Sequence, residues 1–251
     1  MEQLDLNFNT SIYDQFGRKY CLSRFSNGSL FNDHIEAPVV ASLIDDASSL
    51  RGKRALDIGC GPGIYTKMLL SHDVNVTAID SSSLMLDATK EYCESSGYKA
   101  GGNLEFIQGR YEETNFNGSY DLILATFMIS YFEDLTLAFI KMRSQLKKGG
   151  YIITSMLHPF RMFERDRIPS DLYPSYFEGG FYQADFLDKD SPLKLRRYNF
   201  SDIFFAATSA GLRITKLIEP KANLDSTYPD RNKLEYYSRH PSIVVLKLVS
   251  R

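Results

Sequence analysis

The sequence predicts an α/β protein built on a seven-stranded, mostly parallel sheet with helices on both faces. Three observations carry that expectation. Between residues 53 and 157 short apolar runs alternate with helix-length amphipathic segments, the pattern of parallel strands joined by crossover helices. A glycine-rich turn, G-C-G-P-G at 59–63, follows the first run and opens the first helix of that series. A second run ends on an acidic residue, Asp80, where a sheet of this kind presents the carboxyl ends of its strands.

The elements follow in order. K-R-A-L-D-I (53–58) reads as the first strand and 64–71 as its helix, and V-N-V-T-A-I-D ends the second strand at Asp80. Leu84, Ala88 and Tyr92 then recur at helical spacing. L-E-F-I-Q from Leu104 and Y-D-L-I-L-A from Tyr120 are the third and fourth strands. Leu135, Phe139, Met142 and Leu146 mark one face of the next helix, with Asp134 as its cap. Gly149-Gly150 ends it, and Y-I-I-T-S-M-L is the fifth strand. Residues 159–199 hold nine aromatics and no clean period, so they read as an insertion over one end of the sheet. A helix from Phe200 to Ala210, stopped by Gly211, leads to R-I-T-K-L-I-E-P and S-I-V-V-L-K-L-V, a strand pair closing the sheet edge. The first 50 residues, Asn32 to Ser48 especially, look helical. One domain over 1–251 is expected: a helical cap (1–50), a core (51–158), a lid insertion (159–199) and a C-terminal helix with its strand pair (200–251).

Composition narrows the function. A net charge of -2 over 251 residues shows no footprint for nucleic acid or an anionic membrane surface. Three separated cysteines and four histidines, none at metal-ligand spacing, support neither a disulfide framework nor a metal site. The start, M-E-Q-L-D-L-N-F-N-T, lacks a basic segment leading into an apolar run, and apolar stretches are strand-sized. A cytoplasmic protein with a small-molecule substrate is expected; the sequence says nothing of oligomeric state.

The glycine turn asks what approaches the backbone so closely. A dinucleotide turn is G-x-G-x-x-G, whereas here D-x-G-x-G-x-G runs from Asp57 through Gly59 and Gly61 to Gly63. Asp57 would repel a pyrophosphate; it suits a ligand with a cationic centre and an ammonium group. The helix N-terminus beyond it attracts a carboxylate. Those three features together describe S-adenosyl-L-methionine. Asp80 at the end of the second strand can accept both ribose hydroxyls, a feature that fits NAD equally well. Met85 follows as a soft filler for an adenine face.

In order and in register, A-L-D-I-G-C-G-P-G, V-T-A-I-D-S-S-S-L-M-L, L-E-F-I-Q-G-R-Y, Y-D-L-I-L-A-T-F and L-K-K-G-G-Y-I-I-T resemble the motifs of the class I S-adenosylmethionine-dependent methyltransferases. The whole chain is most similar to their small-molecule branch around quinone C-methyltransferases and natural-product methyltransferases. The resemblance implies a Rossmann-like sheet, a cap and insertion that close over the substrate, and O-, N- or C-methylation by in-line transfer. It implies cofactor contacts from Tyr13, Tyr20, Asp57, Gly59, Cys60, Gly61, Gly63, Asp80, Ser81, Met85, Gly109, Arg110, Tyr111, Ala125, Thr126 and Phe127. Family members usually carry an acidic residue for the adenine amino group where this chain has Arg110, which leaves backbone groups from Gly109 to Tyr111 to replace it.

Several positions have competing readings. Asp57 is either a ligand-ordering acid or a strand-end residue capping the helix. Phe127 and Tyr131 either face the transferred methyl group or are core aromatics beneath the cap. Tyr13 and Tyr20, seven residues apart, either close over the cofactor or pack a helix face. His158, in S-M-L-H-P-F on the sheet rim, is either a substrate-facing proton acceptor or a residue that holds a loop. His158 and Tyr131 are the catalytic candidates. His34 reads as structural, and Lys194 with Arg196 as one face of a charged edge strand. Two other functions use the same motifs: another S-adenosylmethionine reaction, such as 3-amino-3-carboxypropyl transfer or internal cyclisation, and cofactor binding without catalysis.

Overall fold

The computed structural model describes residues 7–26, 28–45, 50–164, 176–177, 179–185, 187 and 192–251. Five parallel strands form first: β1 (Arg54–Ile58), β2 (Asn75–Asp80), β3 (Leu104–Gln108), β4 (Tyr120–Ala125) and β5 (Leu146–Leu157). Their register places the carboxyl ends of β1, β2 and β4 side by side, because Asp57 pairs with Ala78 of β2 and with Leu124 of β4. After a two-stranded excursion, β6 (Gly180–Asp185) and β7 (Pro192–Arg197), the chain returns as β8 (Leu212–Ile218) and β9 (Ile243–Ser250). The sheet order is β3-β2-β1-β4-β5-β9-β8, with β9 antiparallel to both neighbours. The expected seven strands are therefore present, and the C-terminal pair closes one edge with β9 inside β8.

Helices cover both faces: α1 (Phe8–Ser26), α2 (Ala37–Asp45), α3 (Ile64–Ser71), α4 (Ser83–Glu94), α5 (Leu135–Ser144), α6 (Pro159–Glu164), α7 (Phe200–Ser209) and α8 (Arg231–Tyr237). Apolar side chains of β1, β2, β4, β5 and β9 are almost wholly buried between them, as the near-continuous apolar runs of a two-sided parallel sheet require. Asp134 caps α5 as expected, accepting the Leu137 N–H at 2.9 Å, and Asn199 closes a reciprocal capping box on α7.

Four details differ from the sequence reading. Leu146 belongs to β5, because α5 ends at Ser144 and Leu146 pairs with Tyr120 before a register shift resumes pairing at Tyr151. On α4 the innermost face is Met85, Thr89 and Cys93. The expected stripe of Leu84, Ala88 and Tyr92 is half-buried instead, since α1 lies across it: Leu84 packs on Gly17, and Phe25 stacks on Tyr92 with ring centroids 4.6 Å apart. The insertion contains a regular hairpin, β6–β7, whose inward residues Ala184, Leu193 and Leu195 pack on Ile12 of α1. The N-terminal helical region is interrupted by a π-helical turn at Leu30–Glu36.

The glycine turn occupies the crossing between β1 and α3. Gly63 is the residue before α3, with φ +87°, and a Cβ there would stand 2.7 Å from Thr89 Cγ2 and 3.0 Å from Thr89 Cα. Left-handed backbone and close helix contact both demand glycine at this position. Gly61 (φ +53°) meets nothing closer than a carbonyl 4.0 Å away. Gly61→Ala should therefore cost only the backbone term, about 1–2 kcal/mol. Gly63→Ala adds an overpacking cost of about 1–3 kcal/mol, and urea unfolding of the two variants should show Gly63→Ala clearly the less stable.

Candidate functional site

The carboxyl ends of β1, β2, β3 and β4 border a cleft that opens to solvent and has a cavity volume of about 150 Å³. Its floor is the turn Ile58–Pro62, one side is Ile79–Ser81 with Gly109–Glu112, the other is Thr126–Met128 with Tyr131, and α1 forms the roof.

Asp80 organises the floor. Its Oδ2 accepts the Gly61 N–H and its Oδ1 the Ser82 N–H, both at 3.0 Å. One carboxylate thus ties the glycine turn to the start of α4, where Ser82 caps the helix. Burial pushes the Asp80 carboxyl up to about 6, against the pull of those N–H groups. Asp57 lies behind the wall, fully buried. Its Oδ2 accepts the Thr66 hydroxyl at 2.6 Å, and its Oδ1 is enclosed without a hydrogen bond. Burial likewise raises it to about 6, the Thr66 hydroxyl opposing and the Asp80 charge adding to the rise. Asp57 therefore stands behind the glycine turn and is not part of the cleft wall.

The roof is fixed to the floor by side chains of α1. Thr10 donates to Ser81 Oγ at 2.9 Å, Asp14 accepts the Ser82 hydroxyl at 2.6 Å, and Tyr13 shares a hydroxyl–hydroxyl bond of 2.7 Å with Tyr131. Asn9 pairs its amide N–H and its amide oxygen with the backbone of Lys194, at 2.8 and 2.9 Å, tying α1 to the β6–β7 hairpin. Tyr20 lies edge-on to Tyr13 with centroids 6.3 Å apart. Its hydroxyl accepts from Arg24 at 2.6 Å, and Arg24 forms a two-pronged pair with Asp33 at 2.9 and 2.8 Å. Burial raises the Tyr13 and Tyr131 hydroxyls above their usual range, so both stay protonated at neutral pH and serve as donors, not bases.

Beyond β4, Phe127 adopts φ +54°, a left-handed conformation unusual for an aromatic residue. Its N–H donates to Ser155 Oγ at 2.7 Å, and Ser155 in turn donates to the buried Glu36 of the π-helical turn. Glu36 also accepts the Tyr65 hydroxyl at 2.7 Å. Burial lifts the Glu36 carboxyl to about 7, with both hydroxyls opposing.

Of the residues expected from the sequence, Tyr13, Tyr20, Gly59, Cys60, Gly61, Asp80, Ser81, Gly109, Arg110, Tyr111, Thr126, Phe127 and Tyr131 meet in this cleft. Tyr111 contributes main chain, since its side chain turns into the core and donates to Gln145 Oε1 at 2.8 Å. Arg110 is paired with Glu112 and Glu113 at 3.5 and 3.3 Å. Gly63, Ala125 and Met85 lie outside the wall: Gly63 packs on Thr89, Ala125 is buried in β4, and Met85 is buried with its Cε against Gly17 under α1. Residues not anticipated include Arg24, Asn32, Tyr65, Glu112 and Met128. Arg24 was accessible in principle, because it extends the Tyr13–Tyr20 face by one further helical turn.

His158 departs from the expected proton-acceptor role. It is buried away from the cleft wall, its Nδ1 accepts the Phe160 N–H at 3.2 Å, and its Nε2 meets Glu219 Oε1 at 2.8 Å. The first bond leaves the proton on Nε2, which donates to Glu219. Its ring also stands edge-on to Phe200, 5.2 Å between centroids. His158→Ala should lower thermal stability by an amount equivalent to about 1–3 kcal/mol. It should leave S-adenosylhomocysteine affinity unchanged in calorimetry.

Comparison with known proteins accords with this geometry. Residues 55–150 match a family model described as a methyltransferase domain. The ubiquinone biosynthesis O-methyltransferase of Marinobacter nauticus is 30% identical over 121 residues, 48% of this chain and 51% of that protein. The chain spans about half the length of the curated relatives it matches. A putative S-adenosylmethionine-dependent methyltransferase from Listeria monocytogenes superimposes with a TM-score of 0.69 at 20% identity, over 84% of this chain and 95% of that one. Magnesium protoporphyrin IX methyltransferase from Synechocystis, solved with bound S-adenosylhomocysteine, gives 0.63 at 14% identity, over 97% and 100%. Residues 55–150 thus carry the sequence of a methyltransferase domain, and the chain shares the fold of solved S-adenosylmethionine-dependent methyltransferases.

Proposed function

We propose that the protein binds S-adenosylmethionine in this cleft and transfers its methyl group to a small-molecule acceptor. The observation that carries the reading is Asp80, set at the end of β2 with its carboxylate bonded to the Gly61 N–H under a roof of tyrosines. The chemistry of the wall fits such a ligand. Asp80 retains lone pairs for ribose hydroxyls, and Gly61 leaves the floor open for a close approach. Arg24, two of whose five N–H donors are not used by Asp33 or Tyr20, supplies a cation for the carboxylate. When bound, the cofactor supplies an activated methyl group on sulfur.

The chain's own residues then have three tasks. Asp80, Gly61 and the Gly109–Glu112 wall fix the nucleoside end. The roof of α1, tied to Ser81, Ser82 and Lys194, excludes water. Tyr13, Tyr131, Phe127 and Met128 shape the acceptor side, where alignment alone can supply effective molarities of order ~10^5–10^8 M. Among the described residues no histidine lines the cleft, and the acids on its wall are engaged, Asp80 by two backbone N–H groups and Glu112 by Arg110, so the site favours an acceptor that reacts without a protein base. The O-methyltransferase relatives support an oxygen acceptor of small size. Three buried, unpaired thiols, Cys21, Cys60 and Cys93, accord with a reducing, cytoplasmic setting.

The test is a reaction with methyl-labelled S-adenosylmethionine and a metabolite extract, followed by mass spectrometry. Labelled small-molecule product together with S-adenosylhomocysteine is expected. Release of methylthioadenosine instead would place the chain in the other reaction class, and binding without product would make it a cofactor-binding module. Asp80→Ala should weaken S-adenosylhomocysteine binding by roughly tenfold or more, since a charge-assisted hydrogen bond is worth about 1.5–3 kcal/mol. Unchanged affinity would remove Asp80 from the site.

A further inference from the structure

The wall from Gly109 to Glu112 meets the cleft almost entirely as backbone, because Gly109 has no side chain and Tyr111 turns its ring into the core. A wall of this kind recognises a ligand only if its peptide groups are held in one orientation. The holding group comes from the opposite side. Lys141 on α5 directs its ammonium at this loop and donates to the carbonyls of Tyr111 at 2.6 Å, Glu112 at 2.9 Å and Thr114 at 2.7 Å. An ammonium has three N–H donors, and three carbonyls take them. Its charge also stands 5.0 Å from the Tyr111 ring centroid and 5.7 Å from that of Phe116.

Peptide planarity carries the consequence across the loop. With no cis bonds in the described backbone, each carbonyl is antiparallel to the N–H of the same peptide unit. Drawing the Tyr111 carbonyl towards α5 turns the Glu112 N–H the other way, and Glu112 is on the cleft wall. We infer that Lys141 is a positioning residue: it orients the Gly109–Glu112 peptides so that an N–H donor meets the base of the bound nucleoside. This rests on the S-adenosylmethionine reading of the cleft. It assigns base discrimination to the main chain, at a place where the side chain expected to be acidic is Arg110, already paired with Glu112 and Glu113.

A donor N–H favours a purine whose facing ring nitrogen is a bare acceptor. Adenine offers that at N1, whereas hypoxanthine carries a hydrogen there. The experiment is calorimetric binding of S-adenosylhomocysteine and S-inosylhomocysteine to the wild-type chain, Lys141→Met and Lys141→Arg. The core face of α5 is Leu135, Ala138, Phe139 and Met142, so position 141 lies off the helix's buried stripe. The wild type should prefer the adenine ligand. Lys141→Met should weaken that ligand by roughly tenfold, the scale of a lost hydrogen bond, and bind the hypoxanthine ligand nearly as before. Lys141→Arg keeps the charge but cannot send three donors from one nitrogen to the three carbonyls, so it should recover part of the preference. It also carries the comparison if thermal melting shows the methionine variant unfolded.

An unchanged preference in both variants, or an equal loss for both ligands, would overturn the assignment, the second outcome marking Lys141 as a general support of the fold. A wild type that binds neither ligand would overturn the cofactor reading itself. Normal wild-type binding with unaffected variants would overturn only the role of Lys141.

Discussion

One carboxylate sets the geometry on which the site depends. Asp80 ends β2 beside the carboxyl end of β1, and it spends an oxygen on each of two chain segments, Gly61 in the turn and Ser82 at the start of α4. The Thr89 hydroxyl of α4 adds a second tie, donating to the Gly61 carbonyl at 2.6 Å. The arrangement carries an electrostatic cost. Burial lifts both Asp80 and Asp57 to about 6, well above the ordinary carboxylate value near ~3.9. A raised acid stabilises the free fold most below that ordinary value, and the contribution is lost as pH rises through about 6. At neutral pH the free site therefore holds two enclosed negative charges. A ligand that brings hydroxyl donors to one and a positive centre between them offsets that cost, whereas a pyrophosphate adds to it.

The second constraint is that the roof belongs to the same framework as the floor. Helix α1 reaches the β2–α4 turn through Thr10 and Asp14, the hairpin through Asn9, and the segment after β4 through Tyr13. Ile12, Leu193, Leu195 and Ala184 bury their apolar surface together with Tyr131 and Tyr182 at their margin. Tyr131 thus faces the cleft, bonds the roof and packs beside the hairpin. Across the cleft, Glu36, Ser155 and the Phe127 N–H form a second buried chain from the cap to the loop after β4. It holds Phe127 in a backbone conformation it would not adopt unaided.

Much of this was legible in the sequence, for physical reasons. Parallel strands buried on both faces give apolar runs that need no context, so β1 to β5 and the closing pair stood out, and the D-x-G-x-G-x-G spacing located the floor. Side-chain direction was less legible. Met85 and Leu84 are adjacent and both meet Gly17 of α1, yet Met85 is buried and Leu84 only half-buried. His158 stands on the expected rim, yet Glu219, 61 residues away, and the Phe160 N–H take both ring nitrogens. The β6 strand was hidden because its residues alternate towards a helix from the other end of the chain. Arg24, Glu36 and Lys141 act through partners that no local pattern reveals: Asp33, Ser155 and three loop carbonyls.

The central claim is that Asp80 in its ionised form receives the nucleoside. Affinity for S-adenosylhomocysteine, measured by calorimetry from pH 5 to pH 8, tests it most directly. Asp80 titrates at about 6 in the free protein, so affinity should be full above about pH 7 and fall by roughly tenfold per pH unit below 6. The fall should be much smaller in Asp80→Asn, where Asp57 alone still titrates in this range, at a lower overall affinity. Wild-type binding that stays constant across this range would contradict the account.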